Sequence, residues 1–193
     1  MVNPLFLPEL REMLAENNSA ELTEFCNTLN AGRTAEFMEG LDDSDLWAVL
    51  QYADPDRQAE IFGYFEEQRQ VDILATEPPA QVAALIDRIP SDDRVDLIQQ
   101  LTPDRVKAIL PLLPVADRRD IQRLCSYEEE TAGALMTSEV AMLSESLSVR
   151  AALDELGTQA SDLETIYYLY VVDDDNVLRG IVSTRQLVSS LRR

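Results

Sequence analysis

Proline recurs in this chain at the spacing of a short helix, and that rhythm limits the folds open to it. Pro78, Pro90, Pro103 and Pro114 lie 12, 13 and 11 residues apart, and Pro55 precedes Pro78 by 23, about two such units, with the intervening start near Glu66–Glu67. The units align as DPDRQAEIFGYF, EEQRQVDILAT, PPAQVAALIDRI, PSDDRVDLIQQL, TPDRVKAILPLL and PVADRRDIQRL. Apolar pairs sit toward their ends, among them Ile61-Phe62, Ile73-Leu74 and Leu97-Ile98. Each unit predicts a helix of two to three turns. Asp54 and Thr102 are placed to cap first turns, with Pro55 and Pro103 at the first helical position, where a missing N–H costs nothing. Helices this short are unstable alone and must stack on neighbours. A period near 12 per helix therefore predicts an α-helical superhelix, armadillo-like, over residues 1–126. Residues 5–52 read as four less regular helices, including Leu5–Glu16 and Ser44–Tyr52, with Phe6 and Trp47 in the core.

The period changes after residue 137. A short strand, a helix over Val149–Gln159, a β-rich run Ile166–Val172, a turn at Asp173–Asn176, a return strand Val177–Val182 and a terminal helix capped by Ser183 or Thr184 make a small α/β unit. Two or three strands with one helical face are too few for a complete domain, so this half needs a partner. The fold class is mainly α with a small α/β part. Its expected divisions are 1–126, a connecting helix or junction at 127–136, and 137–193.

Charge excludes several functions. With 36 acidic and 16 basic side chains the net charge is −20, shared by both parts: residues 1–126 hold 24 acids and 11 bases, and 127–193 hold 12 and 5. Such a surface repels phosphate, which argues against nucleic acid and favours cations or basic partners. Without histidine there is no Ser-His-Asp or Cys-His arrangement and no imidazole ligand. Among six glycines no phosphate-cradling loop stands out, and an enzyme is the weakest reading. Cys26 and Cys125 lack metal-ligand spacing and read as buried free thiols. The N-terminus lacks a signal-peptide pattern, and the longest apolar run, Ile166–Val172, is seven residues against the roughly 20 that span a bilayer. The expectation is a soluble, cytoplasmic chain.

Tyr127-Glu-Glu-Glu-Thr-Ala-Gly-Ala-Leu-Met136-Thr resembles the junction between the helical N domain and the first CBS motif of MgtE-type magnesium transporters. Glu164-Thr-Ile-Tyr-Tyr-Leu-Tyr-Val-Val-Asp173, followed by Leu178-Arg-Gly-Ile-Val-Ser-Thr-Arg185, is similar to that family's first CBS motif. The resemblance implies a superhelical N domain followed by half of a CBS pair, on the cytoplasmic side of a membrane protein. A second CBS motif, a connecting helix and a five-helix membrane domain would be the partners such a fragment lacks. It also implies a regulatory role in which Mg²⁺ between the acidic N and CBS domains closes the pore. A lone CBS half leaves apolar surface uncovered, and homodimerisation through 137–193 follows.

The candidate residues begin at Ser91-Asp92-Asp93-Arg94-Val95-Asp96. On a helix starting near Ser91, Asp92 and Asp96 are i and i+4, so their carboxylates share a face that a hard cation would relieve. Asp92 and Asp96, and Glu60 in Gln58-Ala-Glu-Ile61, match acidic positions of the family's N domain; Asp93 is the weaker candidate. The competing reading is a helix start, with Ser91 as cap and Asp92 and Asp93 complementing the dipole. Asp173-Asp174-Asp175-Asn176 reads as a hairpin turn, and Glu128-Glu129-Glu130 as a solvated helix start. CBS motifs of this family also bind ATP. In the matching segment Tyr168 could stack on a base and Arg185 meet phosphate. Gln186 stands where the pattern has an Asp for the ribose, and its amide lacks the two-acceptor geometry of a carboxylate. Tyr168 could equally be core. The functional alternative is a helical-repeat scaffold whose acidic face binds a basic protein.

Overall fold

The computed structural model describes residues 6–128, 131–160, 163 and 165–191. They form two compact units that divide between Ala134 and Leu135.

The first unit is built from ten short α-helices: α1 (Leu7–Ala15), α2 (Ser19–Thr28), α3 (Ala31–Met38), α4 (Asp43–Leu50), α5 (Pro55–Phe62), α6 (Glu67–Thr76), α7 (Pro79–Ile86), α8 (Ser91–Gln100), α9 (Pro103–Ile109) and α10 (Val115–Leu124), with one 3-10 turn at Leu110–Leu112. Helices contact the next but one: α3, α5, α7 and α9 stack in one row, and α4, α6, α8 and α10 in the other. Two rows of alternating short helices are the superhelix that the proline rhythm predicts. One hydrophobic core runs from Leu10 to Ile121. Trp47 is buried in it, with Nε1 donating to Gln81 Oε1 at 2.9 Å, and half-buried Phe6 rests on Phe25 and Phe37 at ring-centroid distances of 5.5 and 5.3 Å.

Local rules account for most helix starts. Asn30 and Asp42 accept from Arg33 N and Asp45 N at 2.8 and 2.9 Å, and Thr102 accepts from Arg105 N at 3.4 Å. Asp54 holds the cap position of α5 but makes no side-chain cap bond. Its own N–H is held by Asn27 Oδ1 at 3.0 Å, and Pro55 removes one of the donors a cap would serve. Ser91 is not a cap either. Pro90 occupies that position and Ser91 is the buried first helical residue.

An arginine ladder ties the rows together. Arg57, in α5, donates to Cys26 O at 3.2 Å and to Leu29 O, closing the end of α2. Arg69, in α6, donates to Glu39 O and Leu41 O at 3.1 and 2.5 Å, just past α3, and to Asp43 Oδ1 at 2.8 Å. Arg105, in α9, donates to Leu74 O at 2.7 Å and to Glu77 O, at the end of α6. In each case the arginine is the third residue of its helix and reaches a carbonyl 28 residues earlier, which is the C-cap of the helix three before it for Leu29 and Glu77 and lies three residues past α3 for Leu41. Carbonyls at a helix C-terminus have no partner within the helix and carry the negative end of the dipole, so a guanidinium fork satisfies both demands.

Cys26 is buried, its Sγ donating to Val49 O at 3.4 Å, and burial pushes its pKa up to about 12. Cys125 departs from expectation: it follows the last turn of α10 as its C-cap residue and is only half-buried. The junction also differs. From Tyr127 to Leu135 the described residues make bends and turns and no helix, and Gly133 lies against the Tyr127 ring, where a Cβ would come within 2.5 Å. Glu129 and Glu130 lie outside the described residues.

The second unit is β1 (Met142–Ser144), α11 (Val149–Gln159), β2 (Tyr168–Val172), β3 (Leu178–Ser183) and α12 (Thr184–Ser190). The sheet order is β1-β2-β3, with β1 parallel and β3 antiparallel to β2, and Tyr168 pairs with Ser183. Its core is Ala141, Leu143, Ala152, Leu156, Leu169 and Leu187. The hairpin closes through Asp173, whose Oδ1 accepts from Asp175 N and Val177 N at 3.0 and 2.9 Å while Oδ2 pairs with Arg179 at 2.6 Å. Asn176 supplies the left-handed residue, φ 58°. This is turn chemistry, as expected from the Asp-Asn run.

Candidate cation site

The start of α8 is held by Arg94. Its buried guanidinium donates to Ile89 O through Nε and Nη2 at 3.1 and 2.8 Å and reaches Asp117 on α10 at 3.3 Å. That anchor fixes the orientation of the three acids around it. Asp92 is half-buried, and its Oδ1 is buried without a hydrogen-bond partner among the described residues. Asp93 and Asp96 are exposed on the same helix. Burial first, and then the charges of Asp92 and of Glu67, push the Asp96 carboxyl above the usual carboxylate range.

Glu67, the first residue of α6, is the functional candidate that sequence reasoning missed. It lies 29 positions before Asp96, and only the stacking of α6 on α8 brings the two together. Gln100 Nε2 bridges them, donating to Glu67 Oε1 at 2.5 Å and to Asp96 O at 3.4 Å. The one available signal was that Glu67 opens a repeat unit, as Ser91-Asp92-Asp93 does. Between α6 and α8 lies a cavity of about 340 Å³ whose wall includes Glu67, Asp93 and Asp96. Glu60 stands elsewhere: on α5, exposed, paired with Arg57 at 2.7 Å and outside the cavity lining.

The donor set is all oxygen, which suits a hard divalent cation. Among the described residues no group of three or more His, Cys, Asp or Glu side chains is gathered tightly enough to hold a metal ion directly. An orphaned Asp92 oxygen next to a raised Asp96 carboxyl therefore fits a hydrated ion such as Mg²⁺, which keeps several of its waters and takes one or two carboxylates.

In the second unit Tyr168 is 64% exposed at the start of β2, so the core alternative does not hold; Leu169, its neighbour on the opposite face, fills the core instead. Arg185 is exposed in the first turn of α12. Gln186 Oε1 accepts from Ser183 N and Oγ at 2.8 and 2.9 Å, a capping box that commits the one acceptor of its amide. Glu164 lies outside the described residues.

A two-row superhelix of short helices with an acidic oxygen-rich face, followed by a βαββα half with an uncovered sheet, defines the class as a helical-repeat domain joined to a small α/β half. Comparison places it further. The MgtE intracellular N domain model matches residues 29–130 and the CBS domain model residues 132–193, and the chain belongs to the MgtE family. A magnesium transporter MgtE of Enterococcus faecalis is 41% identical over 181 residues, 93% of this chain and 40% of that protein. Its counterpart in Bacillus subtilis is 30% identical over 139 residues, 72% of this chain and 31% of the relative. The chain thus spans well under half the length of these relatives. Among solved structures, the soluble part of a magnesium transporter superposes with a TM-score of 0.84 at 33% identity, covering 94% of this chain and 72% of that one. The cytosolic domain of the Mg²⁺ channel MgtE in complex with ATP gives 0.83 at 30% identity, covering 93% and 74%. These relatives are transporters and channels, not enzymes. No helix among the described residues is long and apolar enough to cross a membrane.

Proposed function

We propose that this chain is the Mg²⁺-sensing regulatory region of a magnesium transporter or channel, lying on the cytoplasmic side of the membrane. The observation that carries the reading is the buried, unpartnered Asp92 oxygen beside Asp96, a pair whose repulsion is stored in the fold. When bound, Mg²⁺ supplies positive charge that screens the carboxylates of the two halves from each other and favours the arrangement that closes the pore. Asp92 and Asp96 hold the hydrated ion from the N-domain side, Asp93 and Glu67 add to the field, and Glu60 contributes only if it leaves Arg57. Residues 1–126 act as the sensing domain, 127–136 as the junction and 137–193 as the half that pairs with a further CBS motif and with a second copy. The rest of a transporter completes the assembly.

An adenine nucleotide is a second ligand this reading admits, with Tyr168 and Arg185 exposed to meet it. Because Gln186 spends its acceptor on the α12 cap, ribose recognition is expected to be weaker than in relatives with a carboxylate there.

Small-angle scattering tests the main proposal. MgCl₂ at millimolar concentration should compact the chain where NaCl at equal ionic strength does not, and Asp92→Ala/Asp96→Ala should abolish the difference. Identical responses to both salts would instead favour a scaffold that binds a basic protein through its acidic face.

A further inference from the structure

The rungs made by arginine are not all filled. Arg94 and Arg118 hold the same place in the repeat: each is the fourth residue of its helix and follows a proline, Pro90 or Pro114, that is itself preceded by an apolar residue, Ile89 or Leu113. Arg94 is satisfied. Its Nε and Nη2 donate to Ile89 O at 3.1 and 2.8 Å, and Nη1 reaches the Asp117 carboxylate, 23 residues later on the next helix of the row, at 3.3 Å. Arg118 is not. Its Nε is buried without a hydrogen-bond partner, and neither Arg118 nor Arg119 beside it joins an ion pair among the described residues. The reason lies in the row. Because α10 is the last helix of the first unit, the position 23 residues beyond Arg118 is Ala141, which has no carboxylate and is buried in the core of the second unit. A buried donor without an acceptor is costly, and nothing in this unit's repeat supplies one.

The surroundings of Arg118 define what could complete it. Val115, Arg118, Arg119 and Gln122 fall at i, i+3, i+4 and i+7 and share one face of α10, while Ile121 and Leu124 turn inward and are buried. Val115 is 53% exposed, as is Leu112 just before the helix, and Arg119 and Gln122 are exposed as well. An apolar pair beside two arginines without ion pairs is a local basic and apolar face on a chain of net charge −20. Its complement is acidic and apolar. In the repeat the group that answers such an arginine is a carboxylate from the first turn of a stacked helix, as Asp117 answers Arg94. We propose that this face docks an acidic amphipathic helix from a partner outside this chain, which stacks on α10 as a further repeat would, its carboxylates pairing with Arg118 and Arg119 and its apolar side chains covering Leu112 and Val115. Arg118 gives up no bond in turning to such a partner. The inference does not rest on the magnesium reading, which uses the start of α8, and either can fail alone.

The probe is a fluorescein-labelled helical peptide of roughly 16 residues, with glutamates spaced i, i+4 beside a leucine stripe. Its Glu→Gln counterpart, sodium acetate and the chain alone serve as separate arms at constant ionic strength. Binding is read by fluorescence anisotropy and by the Arg118 Nε–H signal in ¹H–¹⁵N NMR. A chain of net charge −20 repels the glutamate peptide overall and so favours the glutamine one; only a local pairing with the arginines reverses that order. The expected result is that reversal. The glutamate peptide should bind at least about tenfold more tightly and move the Arg118 signal. Arg118→Gln should erase the preference and Arg119→Gln reduce it several-fold. Arg118→Gln should also change thermal unfolding far less than Arg94→Gln, because only Arg94 is bonded in the free chain. Equal affinity for the two peptides, or a preference that survives Arg118→Gln, would overturn the proposal. So would an equal Arg118 shift from acetate at matched carboxylate concentration, which would make the face a small-anion site. Self-association of the chain that Arg118→Gln abolishes would overturn it in favour of a second copy. A fall in melting temperature as large as that of Arg94→Gln would show Arg118 to be a structural rung already filled, with the same consequence.

Discussion

The two units of this chain reach stability by different means. In the first, every helix is short, yet from α2 onward each is stacked on its next-but-one neighbour, and three carry an arginine that reaches a carbonyl 28 residues earlier. Most of its apolar side chains join one continuous core, with Tyr64, Leu112 and Val115 among the few left exposed. The second has a six-residue core and leaves Tyr167 and Ile181 at 78% and 58% exposed, with Leu178 and Val188 also uncovered. The difference shows what a repeat provides: each added helix covers the one before it, whereas a sheet with helices on one face always leaves another to be covered from outside.

The largest expected effect would separate the units outright. Phe62→Ala removes a fully buried ring packed edge-on against Phe65, and should cost about 3–5 kcal/mol. Amide exchange should rise throughout residues 6–128 while the strands of the second unit keep their protection; equal loss in both would mean that the two fold as one cooperative body. Next comes the ladder. Arg69→Ala deletes bonds to Glu39 O, Leu41 O and Asp43, and should cost about 2–3 kcal/mol by denaturant melts, with Lys recovering only part, since an ammonium lacks the fork. A loss below about 0.5 kcal/mol would show the ladder to be ornamental beside the core.

A third test addresses the second unit. Ile181→Lys should leave its melting nearly unchanged but lower self-association by at least about tenfold in sedimentation, because the residue is exposed in the monomer. Asn176→Ala, at φ 58°, should cost about 1 kcal/mol and Asn176→Gly much less, read from hairpin amide protection. The smallest effect is a divergence with pH. Asp96 titrates higher in the folded chain than unfolded, so its charge opposes folding at neutral pH, and that penalty is relieved as pH falls through the folded value toward the ordinary one. Asp173 has the opposite sign: bonds from Val177 N, Asp175 N and Arg179 hold it low, so its contribution is full above the ordinary carboxylate range and is lost as pH falls toward its folded value. Asp96→Asn should therefore stabilise the first unit at pH 7 and make no difference near pH 3, whereas Asp173→Asn should weaken the hairpin at pH 7. A pH-independent gain from Asp96→Asn would sink the first half of that contrast.

Helix starts at Pro55 and at Pro103, the latter capped by Thr102, and the Asp173–Asn176 turn were legible because each is decided within about four residues. The Asp92–Asp96 face was legible for the same reason, as an i, i+4 spacing on one helix. Ser91 misled because Pro90 takes the cap position one residue earlier, and Asp54 misled because it holds the cap position without its side chain bonding to the first turn.

By itself the sequence determined a row of short, mutually dependent helices, a βαββα half and an acidic surface on both. Only the tertiary structure decided that Glu67 meets Asp96, that Gln70 donates to Phe62 O and Phe65 O, and that arginines at helix starts reach carbonyls 28 residues earlier. Those meetings depend on the pitch of the superhelix. Pitch is set by how buried side chains such as Phe62, Leu74 and Leu97 interlock across rows, a sum over many contacts that no local pattern contains.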